Sequence, residues 1–274
     1  MSEFWLGRNN RNHSAKGKLL QSIDFARLPE KSCVYAIGDI HGMAAVLRDL
    51  IDKVDEDRSS HQVTTYLIFL GDYVDRGPDS SAVVEFLLGF QASQNEGQIC
   101  VFLKGNHEQM LLDFISDPAK YGALWLRNGG AATLASYGVH APSRPSAKQL
   151  TYLRDEFVAR LPRVHLQFFN QLTSKFTLGD YFFCHAGVNA GQALDEQTDD
   201  TLLWTRKTPD EDAGPQEKII VHGHQPMAAP VIARYHINVD TGAYVTGCLT
   251  AVKLHGAKRE FISTEKQGFL RDKS

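Results

Sequence analysis

Three short stretches, GDIHG at Gly38–Gly42, GDYVDRG at Gly71–Gly77 and GNHEQ at Gly105–Gln109, each place a metal-capable side chain directly after a glycine. Two later stretches, HAG at His185–Gly187 and GHQP at Gly223–Pro226, each add one more histidine. Together they collect Asp39, His41, Asp72, Asn106, His107, His185 and His224. Carboxylates, imidazoles and one amide carbonyl form a hard-to-borderline donor set that suits Mn²⁺, Fe or Zn²⁺, and its lack of cysteine argues against a structural zinc site. The donors are too many for one ion and enough for two. Two ions ~3.5–4 Å apart need a shared carboxylate and suit in-line displacement at a phosphoryl group. Any one of these aspartates read alone is an ordinary helix cap, and any one histidine an ordinary core residue.

The surrounding patterns explain how such residues could meet. Ser32–Ile37, Thr64–Leu70 and Ile99–Lys104 are short apolar runs that read as buried strands, each ending at one of the first three glycines. Between them, Met43, Val46, Leu47, Leu50, Ile51 and Val54 have the spacing of an amphipathic helix, and Pro78 and Asp79 open a second one. The order β-α-β-α-β predicts parallel strands with right-handed crossovers, and ligands of open α/β sheets gather past the carboxyl ends of such strands. Residues 108–177 read as a helical insertion, with turns at Asn128–Gly130 and Ala141–Ser146. Strand-like runs return at Tyr181–Cys184, Lys218–Val221, Ala233–Val239 and Cys248–Leu254, the first three leading to His185, to His222 and His224, and to Asp240. The expected organisation is a leader over 1–30 with a short helix near Leu19–Phe25, one domain over 31–262, and a tail over 263–274.

Composition sets further bounds. A net charge of −3 and a pI near 6.4 leave no general footprint for nucleic acid or an anionic membrane. Cys33, Cys100, Cys184 and Cys248 are scattered, without C-x-x-C pairing, and read as buried thiols. No apolar run reaches the ~18 residues of a membrane span, and the first twenty residues lack the apolar core of a secretory signal. A cytoplasmic monomer is expected.

GDIHG, GDYVDRG, GNHE, HAG and GHQP resemble, in this order, the signature of the calcineurin-like metallophosphoesterases, over Ile37–Gly242. More narrowly, they resemble the bacterial members of the phosphoprotein phosphatase branch. The resemblance implies an α/β fold of two packed mixed sheets flanked by helices, a four-layer αββα sandwich. It implies two divalent metal ions per chain, Mn²⁺ or else Fe or Zn. Asp39 and His41 would bind the first, Asp72 would bridge, and Asn106, His185 and His224 would complete the second. A metal-bridging hydroxide would attack in line. His107 would be the general acid and Asp75 its orienting partner. Arg76, with Asn106 and His107, would hold the phosphate, and LLWTR nominates Arg206 as a second phosphate arginine. Asp240 in VDTG would support the ligands from behind.

Two features depart from the eukaryotic pattern: HAG stands for HGG, and His222 occupies a position where an aromatic residue is commoner. His222 reads as a packed strand histidine or a remote hydrogen-bonder. His13, His61, His140, His165, His236 and His255 match no motif and read as surface or packed residues. The substrate class implied is a phosphoserine or phosphothreonine protein or peptide. A bis(5'-nucleosyl)-tetraphosphatase is the alternative; its members are expected to differ at Asp75 and to carry GNHD where this chain has Glu108. Only Arg76 and Arg206 stand ready for phosphate, and Asp199, Asp200, Asp210, Glu211 and Asp212 flank Arg206, which is expected to disfavour a polyanion. An inactive binding module is disfavoured, because every ligand, His107 and Arg76 are present.

Overall fold

The computed structural model describes residues 20, 22–58, 63–207 and 217–265. The acidic positions 210–212, His13, His61, most of the expected leader and most of the tail lie outside the described residues.

The apolar runs become two five-stranded mixed sheets. In the first, β1 (Ser32–Ile37), β2 (Thr64–Phe69) and β3 (Gln98–Phe102) are parallel, and β9 (Thr250–His255) and β10 (Lys258–Ser263) continue it antiparallel beyond β1. In the second, β5 (Tyr181–Cys184), β6 (Ile219–His222) and β8 (His236–Asn238) are parallel, edged antiparallel by β4 (Lys175–Leu178) and β7 (Val231–Ile232). The run Ala233–Val239, expected as one strand, supplies only the three residues of β8.

Alternation along β1 shows why its sequence is apolar from Cys33 to Ile37. Val34 and Ala36 join Ile68, Phe183, Val221 and Val252 in the core between the sheets. Cys33, Tyr35 and Ile37 face the other way, into a core roofed by α1 (Ala44–Arg58) and α2 (Ser80–Ala92). A strand covered on both faces has no polar side to show. On the outer face of the second sheet, Phe182, Cys184 and Ile220 pack with Leu202 of α8 (Asp199–Trp204). The result is the helix–sheet–sheet–helix layering of the calcineurin-like fold. Ile23, Ala26 and Leu28 are buried in the inter-sheet core, so this part of the expected leader is packed, and its helix is a single 3₁₀ turn at Ile23–Phe25.

Between β3 and β4 run α3 (Asn106–Ser116), α4 (Pro118–Trp125), a π-helical turn at Leu126–Gly130, α5 (Ala131–Ser136), α6 (Ala147–Arg160) and α7 (Arg163–Gln171). Phe114, Trp125 and Phe157 pack together at their centre. A short α9 (Ala243–Thr246) follows β8. Among the described residues no helix is long and apolar enough to cross a membrane.

Candidate active site

The loops after β1, β2, β3, β5, β6 and β8 meet at one edge of the sandwich. Their closeness demands glycine. A methyl group on Gly105 would overlap an Asp72 carboxylate oxygen, and one on Gly223 would overlap Asp39. Among the described residues six non-glycine residues have positive φ, and five of them, His41, Asp72, Asp75, Arg76 and His224, stand in these loops. Such strain is kept only where the surroundings over-determine it, and it concentrates at functional sites.

Glu108 does much of the over-determining. Its fully buried carboxylate accepts the backbone N–H groups of Asp72 and Gly105 through Oε2, both at 2.9 Å, and those of Tyr73 and Val74 through Oε1 at 2.8 and 3.3 Å. Burial, then the Asp72 charge, push this carboxyl up to about 7, against the pull of those N–H groups.

The metal-capable side chains converge with their lone pairs. His41 Nδ1 lies 2.9 Å from the Val74 carbonyl and His185 Nδ1 lies 2.9 Å from the Leu70 carbonyl, so each donates its N–H there. The opposite nitrogens are then bare acceptors. His41 Nε2 is buried without a hydrogen-bond partner, 3.3 Å from Asp72 Oδ2. His185 Nε2 lies 2.9 Å from Asn106 Oδ1 and 3.4 Å from Asp72 Oδ1. His224 Nδ1 is 3.0 Å from the same Asn106 oxygen. Two donor groups, His41–Asp72–His107 and Asp72–His185–His224, each lie within 4.8 Å and share Asp72. Asp39 falls outside both groups; its carboxylate accepts the His224 N–H at 3.1 Å.

Acceptors facing acceptors repel unless a cation lies between them. Burial holds the His41 and His224 imidazoles down at about 3, hence neutral, the form that binds metal. Burial, then the Asp240 and Asp72 charges, raise Asp39 well above the carboxylate range. Asp240 itself is pushed up to about 6, chiefly by burial. A cluster of this kind fits divalent cations, the resident group of this fold, and their charge would reverse the carboxylate shifts.

A second construction holds His107. Its Nδ1 lies 2.6 Å from Asp75 Oδ2. Asp75 is fully buried and accepts Trp125 Nε1–H at 2.9 and 3.1 Å and the Thr133 hydroxyl at 2.6 Å. Its own N–H reaches Thr133 Oγ1 and Ser80 Oγ. Burial disfavours the imidazolium, yet Asp72 and Asp75 outweigh it and raise the His107 pKa. Trp125 and Thr133 were not foreseen; they come from the inserted helices, and their spacing is that of ordinary core residues.

At the mouth, the exposed Arg76 donates Nη2–H to His107 Nε2 at 3.1 Å, and its guanidinium lies 4.6 Å over the Tyr244 ring. Tyr244, from α9, was likewise not foreseen. Arg206 is exposed, makes no bond to the cluster among the described residues, and its charge helps to lower the His224 pKa. Asp240 braces its own turn by accepting the Gly242 N–H at 2.9 Å. His222 is buried, with Nδ1 3.0 Å from the Gly223 carbonyl and Nε2 3.1 Å from His236 Nδ1, so it secures the loop that carries His224.

The sequence model of the calcineurin-like phosphoesterases matches residues 34–248. The chain belongs to this family, and its members are metal-dependent hydrolases. Within it, the chain is similar to the bis(5'-nucleosyl)-tetraphosphatase PrpE [asymmetrical] of Oceanobacillus iheyensis, 25% identical over 257 residues, 86% of this chain and 94% of the relative. It is 27% identical over 235 residues to the protein of the same name from Bacillus thuringiensis, 79% of this chain and 88% of that one. A solved structure described as a candidate diadenosine tetraphosphatase shares the fold, with a TM-score of 0.56, 22% identity, and 87% of this chain and 98% of that chain covered.

These relatives overturn the expectation of a serine/threonine phosphatase acting on a phosphoprotein or phosphopeptide. The structure supplies the physical reason that expectation erred. Asp75 and Glu108, taken to separate the two classes, are fully buried and engaged inside the chain, so neither can touch a substrate. Asp199 and Asp200 form the first turn of α8, where carboxylates complement the helix dipole.

Proposed function

We propose that this chain is a cytoplasmic, divalent-metal-dependent hydrolase of dinucleoside 5',5'-polyphosphates that splits bis(5'-nucleosyl) tetraphosphates asymmetrically. The observation that carries the reading is similarity along nearly the whole length of relatives bearing that name, joined to two donor groups that share Asp72 and an arginine at their mouth. Asp39, His41, Asp72, Asn106, His185 and His224 are the residues that would hold the ions, and the donor set favours Mn²⁺, with Fe or Zn²⁺ as alternatives. Bound there, divalent cations supply charge neutralisation at phosphorus and acidify water.

The chain's own residues perform the rest. Arg76 leaves His107 Nε2 to grip the non-bridging oxygens of the phosphoryl group attacked, and Arg206 approaches from the His224 side. Asp75 keeps His107 turned so that Nε2 faces the departing oxygen. Water adds to the outermost phosphorus, the bridging P–O bond breaks, and the electron pair leaves on a phosphate oxygen. The products are a nucleoside triphosphate and a nucleoside monophosphate. A departing phosphate, whose own second pKa is about 6, needs less protonation than an alkoxide. His107 therefore mainly places and steadies a proton near the leaving oxygen, and the acid's share of the rate is at the low end of its usual span.

The test is product analysis. The metal-loaded protein is incubated with bis(5'-adenosyl) tetraphosphate, and nucleotides are separated by chromatography. Equal ATP and AMP are expected. ADP alone would mean symmetrical cleavage, and no cleavage under conditions where p-nitrophenyl phosphate is hydrolysed would overturn the reading.

A further inference from the structure

On the helical side of the mouth, a groove of about 510 Å³ runs between the end of α4, the π-helical turn and the loop over 141–145. Its size falls within the ~300–1,000 Å³ of small-molecule sites. Leu126, Ala131, Pro142 and Pro145 give it apolar walls, and Arg127 and Arg144 give it two cations. Both arginines are exposed, and among the described residues neither makes an ion pair or hydrogen bond. Their neighbours in the inserted helices differ: Arg154 pairs with Asp155 and Arg160 with Glu156.

The groove is joined to the active site. Gly129, two residues beyond Arg127, accepts the Arg76 backbone N–H at 3.3 Å. It sits at φ +108°, and a Cβ there would press to 2.9 Å from Arg76 Cγ. The π-helical turn that puts Arg127 in the groove wall therefore also seats the mouth arginine. Arg127 and Arg144 line the groove, and the turn that carries Arg127 is also the one that contacts Arg76.

We infer that this groove receives the far half of the dinucleotide, an inference that rests on the dinucleoside polyphosphate reading. When water attacks the outermost phosphorus, three phosphates and a second nucleoside remain beyond it, and a phosphomonoester has nothing to place there. Guanidinium forks match phosphate edges, and Arg127 and Arg144 take the distal phosphates. The apolar walls take the far nucleoside. The lining offers neither an aromatic platform nor an amide to read a base edge, so adenine and guanine dinucleotides are accepted alike.

The experiment compares metal-loaded wild type with Arg127→Ala/Arg144→Ala on two substrates, bis(5'-adenosyl) tetraphosphate and p-nitrophenyl phosphate. The readout is the ratio of the two kcat/KM values. It should fall about tenfold per arginine, the loss of one charge-assisted hydrogen bond each, and fall less at high salt. Ala131→Glu, which plants an anion in the groove wall, should lower the same ratio and guards against misfolding of the double variant. An unchanged ratio in both variants overturns the groove alone. Wild type that hydrolyses p-nitrophenyl phosphate but no dinucleoside polyphosphate overturns the underlying reading and the groove with it.

Discussion

Trp125→Phe tests whether the inserted helices reach into catalysis. The substitution deletes one donor, Nε1–H, which lies 2.9 and 3.1 Å from the two oxygens of a carboxylate with no solvent exposure. A hydrogen bond to a charged group contributes about 1.5–3 kcal/mol, and here water cannot replace it. The ring that remains keeps its tilted aromatic neighbours Phe114 and Phe157 but leaves a small void, so about 2–4 kcal/mol of stability should be lost in all. For a chain of this length each kcal/mol moves Tm by about 2–4 °C, which places the fall near 5–15 °C with the protein still folded at 25 °C. Asp75 would keep Thr133 and His107 as partners, both at 2.6 Å, but could rotate between them. A loosened His107 should cost about tenfold in kcat, or about 1.4 kcal/mol of barrier. Phe157→Leu is the control, because it perturbs the same aromatic cluster without touching Asp75. Calorimetry and steady-state turnover on bis(5'-adenosyl) tetraphosphate are then compared at 25 °C. A Trp125→Phe protein with the lowered Tm but wild-type kcat would refute the claim that this indole helps to hold His107 for catalysis.

Three further outcomes follow from the site. Asp72→Asn should lower metal content and turnover together, since both donor groups share Asp72; elemental analysis showing two ions per chain with normal turnover would remove the bridging assignment. Glu108→Gln puts an amide NH₂ against two backbone N–H groups and should destabilise by about 2–4 kcal/mol, read by urea unfolding. His222 is held neutral by burial, its pKa lowered from 6.5 to about 3, whereas the unfolded chain takes up the proton below about 6.5. Its contribution is therefore full above pH 6.5 and declines as the pH falls toward 3, by about 2 kcal/mol at pH 5. His222→Asn, which keeps a donor for the Gly223 carbonyl, should flatten that part of the stability–pH curve, and an unaltered slope would count against it.

The donors were legible because their chemistry is carried by residue type and their placement by strand ends. Asp39, Asp72 and Asn106 each follow an apolar run of strand length and a glycine. Parallel strands deliver their carboxyl ends to one edge, so order along the chain becomes proximity in space. That His185 and His224 join the same edge also followed from apolar runs leading to histidines, with the packing of the second sheet on the first completing the cluster.

The supports of His107 were hidden for the opposite reason. Trp125 and Thr133 reach Asp75 from 50 and 58 residues away, and inside a helix each looks like any core residue. Tyr244 shows no periodic signal, and its place over Arg76 depends on how α9 lies across the mouth. Substrate class was the least legible of all. The residues taken to signal it, Asp75 and Glu108, spend their polar atoms on the protein's own backbone and side chains. The cations that could meet a long polyanion, Arg127 and Arg144, lie on a turn and a loop of the inserted helices, seventeen positions apart by number. Residue type and strand order settle which atoms can gather at a sheet edge, because backbone geometry repeats. What surrounds that edge depends on how non-repeating segments pack, and only the tertiary structure resolves it.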